Sequence, residues 1–290
     1  MGRCDGKIAL VGGKLGKMRK GKFKMGLGGL IAKDLVDEGC KAVFIVDLDY
    51  EVTDACAKEL GSDAIKPKDV DLLKERTFET EEYTNERGQK KTKVIWKDNP
   101  ALDLVKDIVG EYGTLDILVT NFDEYKKNKI TKQTDEEYEE MRDKNLVPVF
   151  HLLAAVRDQF SAQNKTKGTF AKVVMLTNMV GKAGMSMGAL YAAMKAGIVS
   201  LTKTMAKEFG RFANCNAVAM APLSTRKMQG PKDRFKKQYP SPIVASDHSK
   251  MDIMPKHIVP LVTFLASDGA EAINGQIISV DGGLWLKLEQ

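Results

Sequence analysis

Seven short apolar runs alternate with longer segments of helical periodicity along the whole chain. The runs are apolar almost throughout and do not alternate with polar residues, so each should be covered on both faces. Strand–helix alternation of this kind predicts an α/β fold, in which a parallel sheet lies between two layers of helices. The predicted strands are residues 7–12, 41–47, 63–70, 115–121, 171–178, 214–222 and 275–283.

The segments between the apolar runs predict helices, and the whole chain predicts one domain. A length of 290 residues suits a single large α/β unit with a sizeable core. No linker or internal repeat interrupts the alternation, so the predicted domain covers residues 1–290. The predicted helices are residues 28–39, 50–61, 99–111, 134–161, 188–210 and 254–267.

The composition indicates neither a membrane protein nor a metal site. No apolar run approaches the roughly 20 residues of a bilayer span, and the N-terminus reaches its first strand too early for a signal peptide. The three histidines have no carboxylates at ligand spacing, and the four cysteines are scattered, which is typical of reduced thiols. We therefore expect a cytoplasmic protein with no bound metal and no membrane partner.

Residues 14–24 carry a local excess of positive charge. This segment holds Lys14, Lys17, Arg19, Lys20, Lys22 and Lys24 without an acid, which equals the formal net charge of +6. A nucleic-acid surface normally needs a broader basic stripe, so the pattern favours a phosphate-bearing ligand and no nucleic acid.

A second polar segment, residues 75–98, interrupts the strand–helix pattern. Its first half is acidic and its second half is basic, around the turn-like sequence NERGQ. Opposite charges across two strands would favour a hairpin, so we expect an inserted two-stranded arm. A disordered loop is the alternative.

Tyr191 and Lys195 lie four residues apart in a helical segment, so they share a face of the helix. An ammonium group close to a phenol should lower the phenol's pKa from about 10. A tyrosine tuned in this way can exchange a proton with an alcohol or a carbonyl near neutral pH.

Four blocks of the chain resemble the short-chain dehydrogenase/reductase superfamily. They are YAAMKAGIVSLTKTMAKEFG, LDILVTN, DKNLVPVFHLLAAV and NGQIISVDGG. The resemblance covers nearly the full length and implies a Rossmann-type, doubly wound, seven-stranded parallel sheet. It also implies hydride transfer between NAD(P) and an alcohol or ketone. Members are usually dimers or tetramers, packed through helices that correspond here to 134–161 and 188–210.

The resemblance implies a role for each matching residue. Tyr191 would be the general acid/base, Lys195 would hold the cofactor ribose and tune Tyr191, and Asn145 would anchor a relay water. Asn178 stands where the family has its substrate-polarising serine, and its amide can still donate a hydrogen bond. Residues 223–252 fall at the variable substrate loop.

The implied cofactor is NAD. A carboxylate at Asp47, after the second central strand, would bind the adenosine ribose and repel a 2′-phosphate. Asp69 would contact the adenine, and Thr225 would reach the nicotinamide amide. Gly13, Gly26 and Gly28 would form the phosphate-binding turn at a helix N-terminus, and Asn121 would lie on the same rim.

Several positions depart from the family pattern, and all of them lie on this rim. Asp123 replaces a glycine, Gly12 replaces a threonine, and Met220–Ala221 replace a Pro-Gly pair. Twelve residues separate Gly13 from Gly26, where the family has a much shorter spacer. Together with Asn178, these changes predict altered or lost catalysis.

Three hypotheses follow. The first is an NAD-dependent alcohol dehydrogenase or ketone reductase, with hydroxyacyl compounds among its candidate substrates. The second is a non-catalytic subunit that forms a hetero-oligomer with an active paralogue. The third is a module in which residues 14–24 clamp coenzyme A or another polyphosphate.

Overall fold

The computed structural model describes residues 2–221 and 253–283. Within them, seven parallel strands form a central sheet in the order β11-β10-β9-β8-β1-β4-β5. Helices cover both faces, so the predicted α/β, doubly wound, seven-stranded sheet is confirmed. The strands of this sheet are β1 Ile8–Gly12, β4 Ala42–Val46, β5 Ile65–Pro67, β8 Ile117–Thr120, β9 Ala171–Asn178, β10 Ala213–Met220 and β11 Ile277–Val280.

The remaining described strands form two antiparallel hairpins outside the central sheet. The first hairpin pairs β2 Gly16–Arg19 with β3 Lys22–Met25 and lies within the basic segment. The second pairs β6 Thr77–Thr84 with β7 Lys90–Asp98 and lies within the segment expected to form an arm.

Most of the described helices follow the predicted segments, but one predicted helix is divided in two and a short helix after β9 was not predicted. They are α1 Leu27–Asp37, α2 Tyr50–Leu60, α3 Pro100–Tyr112, α4 Asp135–Asn145, α5 Val147–Lys167, α6 Val180–Ala183, α7 Ala189–Glu208 and α8 Pro255–Leu265. One apolar layer lies under α1 and α8, and the other lies under α3 and α5. None of the described helices is long and apolar enough to cross a bilayer.

The prediction of a single helix over 134–161 is wrong. The helix is interrupted at Leu146, and its second part, α5, extends to Lys167. Pro148 has no N–H to donate to the carbonyl one turn earlier, which removes a helical hydrogen bond. The carbonyl that is left without its helical donor is that of Lys144. The side-chain amide of Asn145, the next residue, donates to the carbonyl of Met141 at 2.9 Å. The break therefore holds Asn145 at the end of α4.

The strand order reverses at β1, whose neighbours are β4 and β8. In open parallel sheets, ligands bind at the carboxyl ends of the strands beside such a reversal. The ends of β1, β4, β8 and β9 therefore define the rim on which the candidate residues should meet. Thr225 and the predicted substrate loop 223–252 lie outside the described residues.

Candidate active site

The turn between β1 and α1 brings Gly13, Gly26 and Gly28 together in spite of the long spacer. Gly13 has a φ of +87°, and its N–H donates to the carbonyl of Val46 at 2.9 Å. The N–H of Gly26 donates to the carbonyl of Leu15 at 2.8 Å. The N–H of Gly28 donates to the carbonyl of Lys14, also at 2.8 Å. A Cβ on Gly26 would lie 2.3 Å from the Lys14 carbonyl oxygen, so the turn needs glycine there. The hairpin thus leaves the turn at Leu15 and returns at Gly26.

The β2–β3 hairpin directs its apolar side chains toward α2. Met18, Phe23 and Met25 are half-buried, and the Met25 sulfur lies 3.7 Å from the Cys56 sulfur on α2. The alternate positions point outward, so five cations of the basic segment are exposed. These cations are Lys17, Arg19, Lys20, Lys22 and Lys24. Of the six basic residues, only Lys14 lines the cavity beside the turn.

Asp47 directly follows β4, at the expected adenosine end of the rim. Its Oδ2 accepts from the N–H of Leu15 at 2.9 Å, and its Oδ1 accepts from the N–H of Leu48 at 2.9 Å. Burial raises the pKa of Asp47, and these two hydrogen bonds oppose the shift. Asp69 is exposed and does not line the cavity next to Asp47.

The cavity next to Asp47 has a volume of about 290 Å³. A salt bridge joins Lys14 Nζ to Glu124 Oε2 at 3.1 Å, from the β1–α1 turn to the segment after β8. The cavity therefore lies beside a contact that ties together two of the strand ends at the reversal. Its lining residues are Lys14, Asp47, Leu48, Asp49, Phe122, Asp123, Glu124 and Lys144.

Two departures from the family pattern form one packing exchange. They are Gly12 and Phe122, which lies in the sequence TNFD where the family has NNAG. The ring of Phe122 is 3% exposed and lies against the end of β1. A Cβ on Gly12 would lie 2.9 Å from Phe122 Cε2 and 3.2 Å from Leu152 Cδ1. Phe122 therefore occupies the space that the side chain of a threonine at position 12 would need. Asn121 holds the same junction, because its N–H donates to the Gly12 carbonyl at 2.7 Å.

Tyr191 and Lys195 share a face of α7, as predicted, and both contact Asp123. The Tyr191 hydroxyl donates to Asp123 Oδ1 at 2.7 Å, and Lys195 Nζ lies 2.9 Å from the same oxygen. Lys195 also donates to the Phe122 carbonyl at 2.8 Å and is 1% exposed. The Asp123 carboxylate thus bridges the two groups that the family uses on the cofactor ribose and the substrate.

The expected lowering of the Tyr191 pKa is wrong. Burial raises this pKa well above its ordinary value, and the charge and hydrogen bond of Asp123 raise it further. A hydrogen bond from Asn178 acts in the opposite direction, which places Asn178 beside the phenol. Lys195 does not deliver the expected tuning because its ammonium group is paired with Asp123.

Asp123 itself stays ionised in this arrangement. Burial opposes its ionisation, but the charge of Lys195 and the hydrogen bonds from Lys195 and Tyr191 outweigh burial. The pKa of Asp123 therefore lies below its ordinary value. A carboxylate this close disfavours the tyrosinate that proton donation by Tyr191 would leave behind.

The amide groups of Asn145 and Asn178 are also engaged by backbone. Asn145 is fully buried, its Nδ2 donates to the carbonyls of Glu124 and Met141, and its Oδ1 accepts from the Glu124 N–H. Both amide hydrogens of Asn145 are therefore in use, which fixes the segment after β8. The Oδ1 of Asn178 accepts from the N–H of Val180 at 3.1 Å, leaving its NH₂ for the phenol.

Tyr125 is a site residue that the sequence patterns did not indicate. Its ring packs edge-on against the ring of Tyr191, with centroids 5.1 Å apart. Burial raises the pKa of Tyr125, so it covers the phenol as a neutral group. The signal was present in the sequence TNFDEY, which puts two carboxylates and two aromatic rings after β8.

The fit of a dinucleotide differs between the two ends of the rim. At the adenosine end, Asp47 and the three glycines lie at the turn that such a cofactor would contact. The N–H groups of all three glycines donate to backbone carbonyls, and both Asp47 oxygens accept from backbone N–H groups. At the reacting end, Asp123 holds both Tyr191 and Lys195, so this arrangement admits a nicotinamide only if the carboxylate turns away.

The family is shown by comparison with other sequences. Residues 95–285 match the family described as Enoyl-(Acyl carrier protein) reductase. The chain is 28% identical over 283 residues to the 3-oxoacyl-[acyl-carrier-protein] reductase FabG of Haemophilus influenzae, covering 97% of this chain and 99% of that protein. It is 31% identical over 197 residues to the protein of the same name from Staphylococcus epidermidis, covering 66% and 75%.

The fold is also that of a solved relative. The structure of 3-ketoacyl-(acyl-carrier-protein) reductase from Brucella melitensis complexed with NADH superimposes with a TM-score of 0.75 at 22% identity, covering 97% of this chain and 99% of that one. The family match includes the α7 segment that carries Tyr191 and Lys195. The chain therefore belongs to the short-chain dehydrogenase/reductase superfamily of nicotinamide-dependent oxidoreductases.

Proposed function

We propose that this protein is an oxidoreductase that interconverts a ketone and a secondary alcohol on an acyl thioester. The observation that carries the proposal is the meeting of Tyr191, Lys195 and Asn178 at the carboxyl edge of the sheet. The relatives named 3-oxoacyl-[acyl-carrier-protein] reductase support a 3-oxoacyl or 3-hydroxyacyl substrate.

The residues of the site have distinct proposed tasks. Tyr191 would give a proton to the carbonyl oxygen, and the NH₂ of Asn178 would polarise that oxygen. Lys195 would stabilise the tyrosinate once Asp123 has turned away, because its ammonium group would then face the phenol alone. The bound nicotinamide would supply the hydride. Asp47 favours NAD over NADP, because its carboxylate repels a 2′-phosphate.

A second candidate function is a non-catalytic subunit of a hetero-oligomer. The Asp123 bridge favours it, because this contact raises the pKa of the proton donor and pairs the lysine that should bind ribose. In that case the rim would serve to hold the fold, and an active paralogue would carry the chemistry.

Turnover of acetoacetyl-coenzyme A by the isolated chain, measured with NADH and with NADPH, separates the two candidates. The oxidoreductase proposal expects NADH oxidation that Tyr191→Phe abolishes and that exceeds the rate with NADPH. Asp123→Gly, which restores the family residue, should raise this rate because it releases both Tyr191 and Lys195. If neither the wild-type chain nor Asp123→Gly shows turnover, and calorimetry detects no NADH binding, the protein is a non-catalytic subunit.

We also propose that copies of the chain, or a paralogue, pack against the segments 134–161 and 188–210. Small exposed residues on α7, among them Ala193, Ala196 and Ser200, would allow close helix contact. Light scattering on the purified chain tests this, and a monomer that Ala196→Arg leaves unchanged would contradict self-association.

A cytoplasmic location remains our proposal. Cys4, Cys40, Cys56 and Cys215 are all buried free thiols, a state that a reducing compartment preserves. Cell fractionation tests the location, and recovery of the protein outside the cytoplasmic fraction would contradict it.

A further inference from the structure

A second cavity lies where the β6–β7 arm meets α4 and α5. Its volume is about 450 Å³, within the range of small-molecule sites. None of the residues given a catalytic or cofactor role above belongs to its wall. The lining residues are Leu73, Glu75, Arg76, Phe78, Trp96, Arg142, Asp143, Val147 and His151.

Arg76 is the unusual member of this wall. Its guanidinium carbon lies 5.0 Å from the ring centroid of Trp96 and 5.0 Å from that of Phe150, so the cation packs against two aromatic rings. Its Nη1 is buried and has no hydrogen-bond partner, and among the described residues no carboxylate lies within ion-pair distance. The side chain as a whole is half-buried, so its remaining N–H groups can meet a ligand in the cavity that Arg76 lines.

The other charged groups of the wall leave this demand unmet. Arg142 pairs with its neighbour Asp143 at 2.8 Å, and Glu75 makes no ion pair with Arg76. His151 lies 2.9 Å through Nδ1 from the Leu72 carbonyl. Burial lowers the pKa of His151, and the charge of Arg76 lowers it further, so the imidazole is neutral at pH 7. Arg76 is thus the unpaired cation of the wall.

The rest of the wall is apolar. Phe78 packs edge-on against Trp96, with ring centroids 5.4 Å apart, and Leu73 and Val147 line the same space. Phe78 is half-exposed, so a ligand could still bury part of its ring. The cavity therefore combines one fixed cationic head site with aromatic and aliphatic sides.

We propose that this cavity binds a small organic anion whose oxyanion head pairs with Arg76 and whose apolar body contacts Phe78 and Trp96. The planar guanidinium fork matches the oxygens of a carboxylate or of a phosphate monoester, which share this chemistry. Stacking between two rings holds the fork in place before the ligand arrives, which reduces the entropy lost on binding.

Trp96 provides the readout. The chain has two tryptophans, Trp96 and Trp285, so Trp285→Phe leaves Trp96 as the sole fluorescent indole. Benzoate and phenyl phosphate are titrated separately, with benzyl alcohol as the uncharged control. We expect a saturable change in Trp96 emission with at least one anion and none with benzyl alcohol. Benzoate alone identifies a carboxylate site, and phenyl phosphate alone identifies a phosphate site.

Variants in the same background tie the signal to the cavity. Arg76→Gln should weaken binding at least about tenfold, and Arg76→Lys should recover only part of this loss, because lysine lacks the fork. The matched control is Arg87→Gln, an exposed arginine in the turn of the same arm, which should leave affinity unchanged. Arg142→Gln, on α4, should weaken binding about threefold by removing the second positive charge.

Two results would overturn the proposal. One is the absence of a saturable change up to about 10 mM of either anion, well beyond a millimolar dissociation constant. The other is an affinity that neither Arg76→Gln nor Arg142→Gln reduces. If Arg76→Gln alters the spectrum of the unliganded protein, the arm has moved, and Arg142→Gln alone decides the outcome.

Discussion

The exchange between Gly12 and Phe122 makes a quantitative prediction about stability. Gly12 is outside the left-handed region, so its backbone tolerates alanine, and the obstacle is space. A Cβ there would lie 2.9 Å from Phe122 Cε2 and 3.0 Å from Phe122 Cζ. The ring is buried, and the new Cβ would also lie 3.2 Å from Leu152 Cδ1. We therefore expect Gly12→Ala to destabilise the fold by about 1–3 kcal/mol through overpacking.

The reverse change removes the large partner. Phe122→Ala should cost about 3–5 kcal/mol, since the ring is almost completely buried and leaves a cavity. In the Gly12→Ala/Phe122→Ala double variant, the new methyl group would occupy part of that cavity. The double variant should therefore be no less stable than Phe122→Ala alone, which corresponds to a coupling of about 1–3 kcal/mol.

Urea denaturation of the four proteins measures this cycle, with equal m-values as the condition for comparing them. Gly110→Ala in α3 is the control, because a Cβ at Gly110 meets nothing within 4 Å. That variant should gain up to about 1 kcal/mol from helix propensity. Additive costs for Gly12→Ala and Phe122→Ala, within about 0.5 kcal/mol, would refute the reasoning that the two departures form one packing exchange.

Three further predictions concern the charges of the rim. Asp123→Asn should lower the pKa of Tyr191, because the neighbouring negative charge disappears. Tyrosinate absorbance against pH measures this pKa, and Tyr191→Phe identifies the signal. A Tyr191 titration that Asp123→Asn leaves unchanged would contradict the prediction. Ionised Asp123 stabilises the fold above its unfolded pKa of about 3.9, and this contribution is lost as pH falls through the lower folded pKa. The wild type should therefore lose more unfolding free energy in acid than Asp123→Asn. Parallel curves of unfolding free energy against pH would argue against the bridge. Lys14→Met should change the unfolding free energy by less than about 1 kcal/mol, because the salt bridge of Lys14 with Glu124 is exposed. A larger loss of unfolding free energy that Glu124→Gln does not match would show that Lys14 has another partner.

The Asp123 bridge changes how the family resemblance should be interpreted. The lysine and tyrosine are in place, but their shared partner is a carboxylate of the chain itself. The protein therefore holds Tyr191 and Lys195 on one carboxylate. Any ligand at this end of the rim has to compete with an ion pair whose lysine is almost completely buried. Competition of this kind would appear as weak binding of NADH that Asp123→Gly strengthens.

The sequence by itself determined the sheet, most of the helices and the Tyr191–Lys195 face. These features depend on local periodicity and on residues four apart, which a helix or a strand arranges without help from the rest of the chain. It also indicated that the rim had changed, at Gly12, Asp123 and Asn178. The one helix it joined wrongly, over 134–161, is interrupted at Leu146, beside Pro148, which lacks the N–H that a continuous helix would use.

Only the tertiary structure decided what those changes do. Asp123 contacts Tyr191 and Lys195 at the edge of the sheet. The pKa of Tyr191 is raised because the phenol is buried and lies beside the carboxylate of Asp123. Phe122 fills the space above Gly12 because two strand ends pack side by side, which no local pattern reports. Distances between side chains far apart in sequence set charge and packing energies, and these distances exist only once the chain has folded.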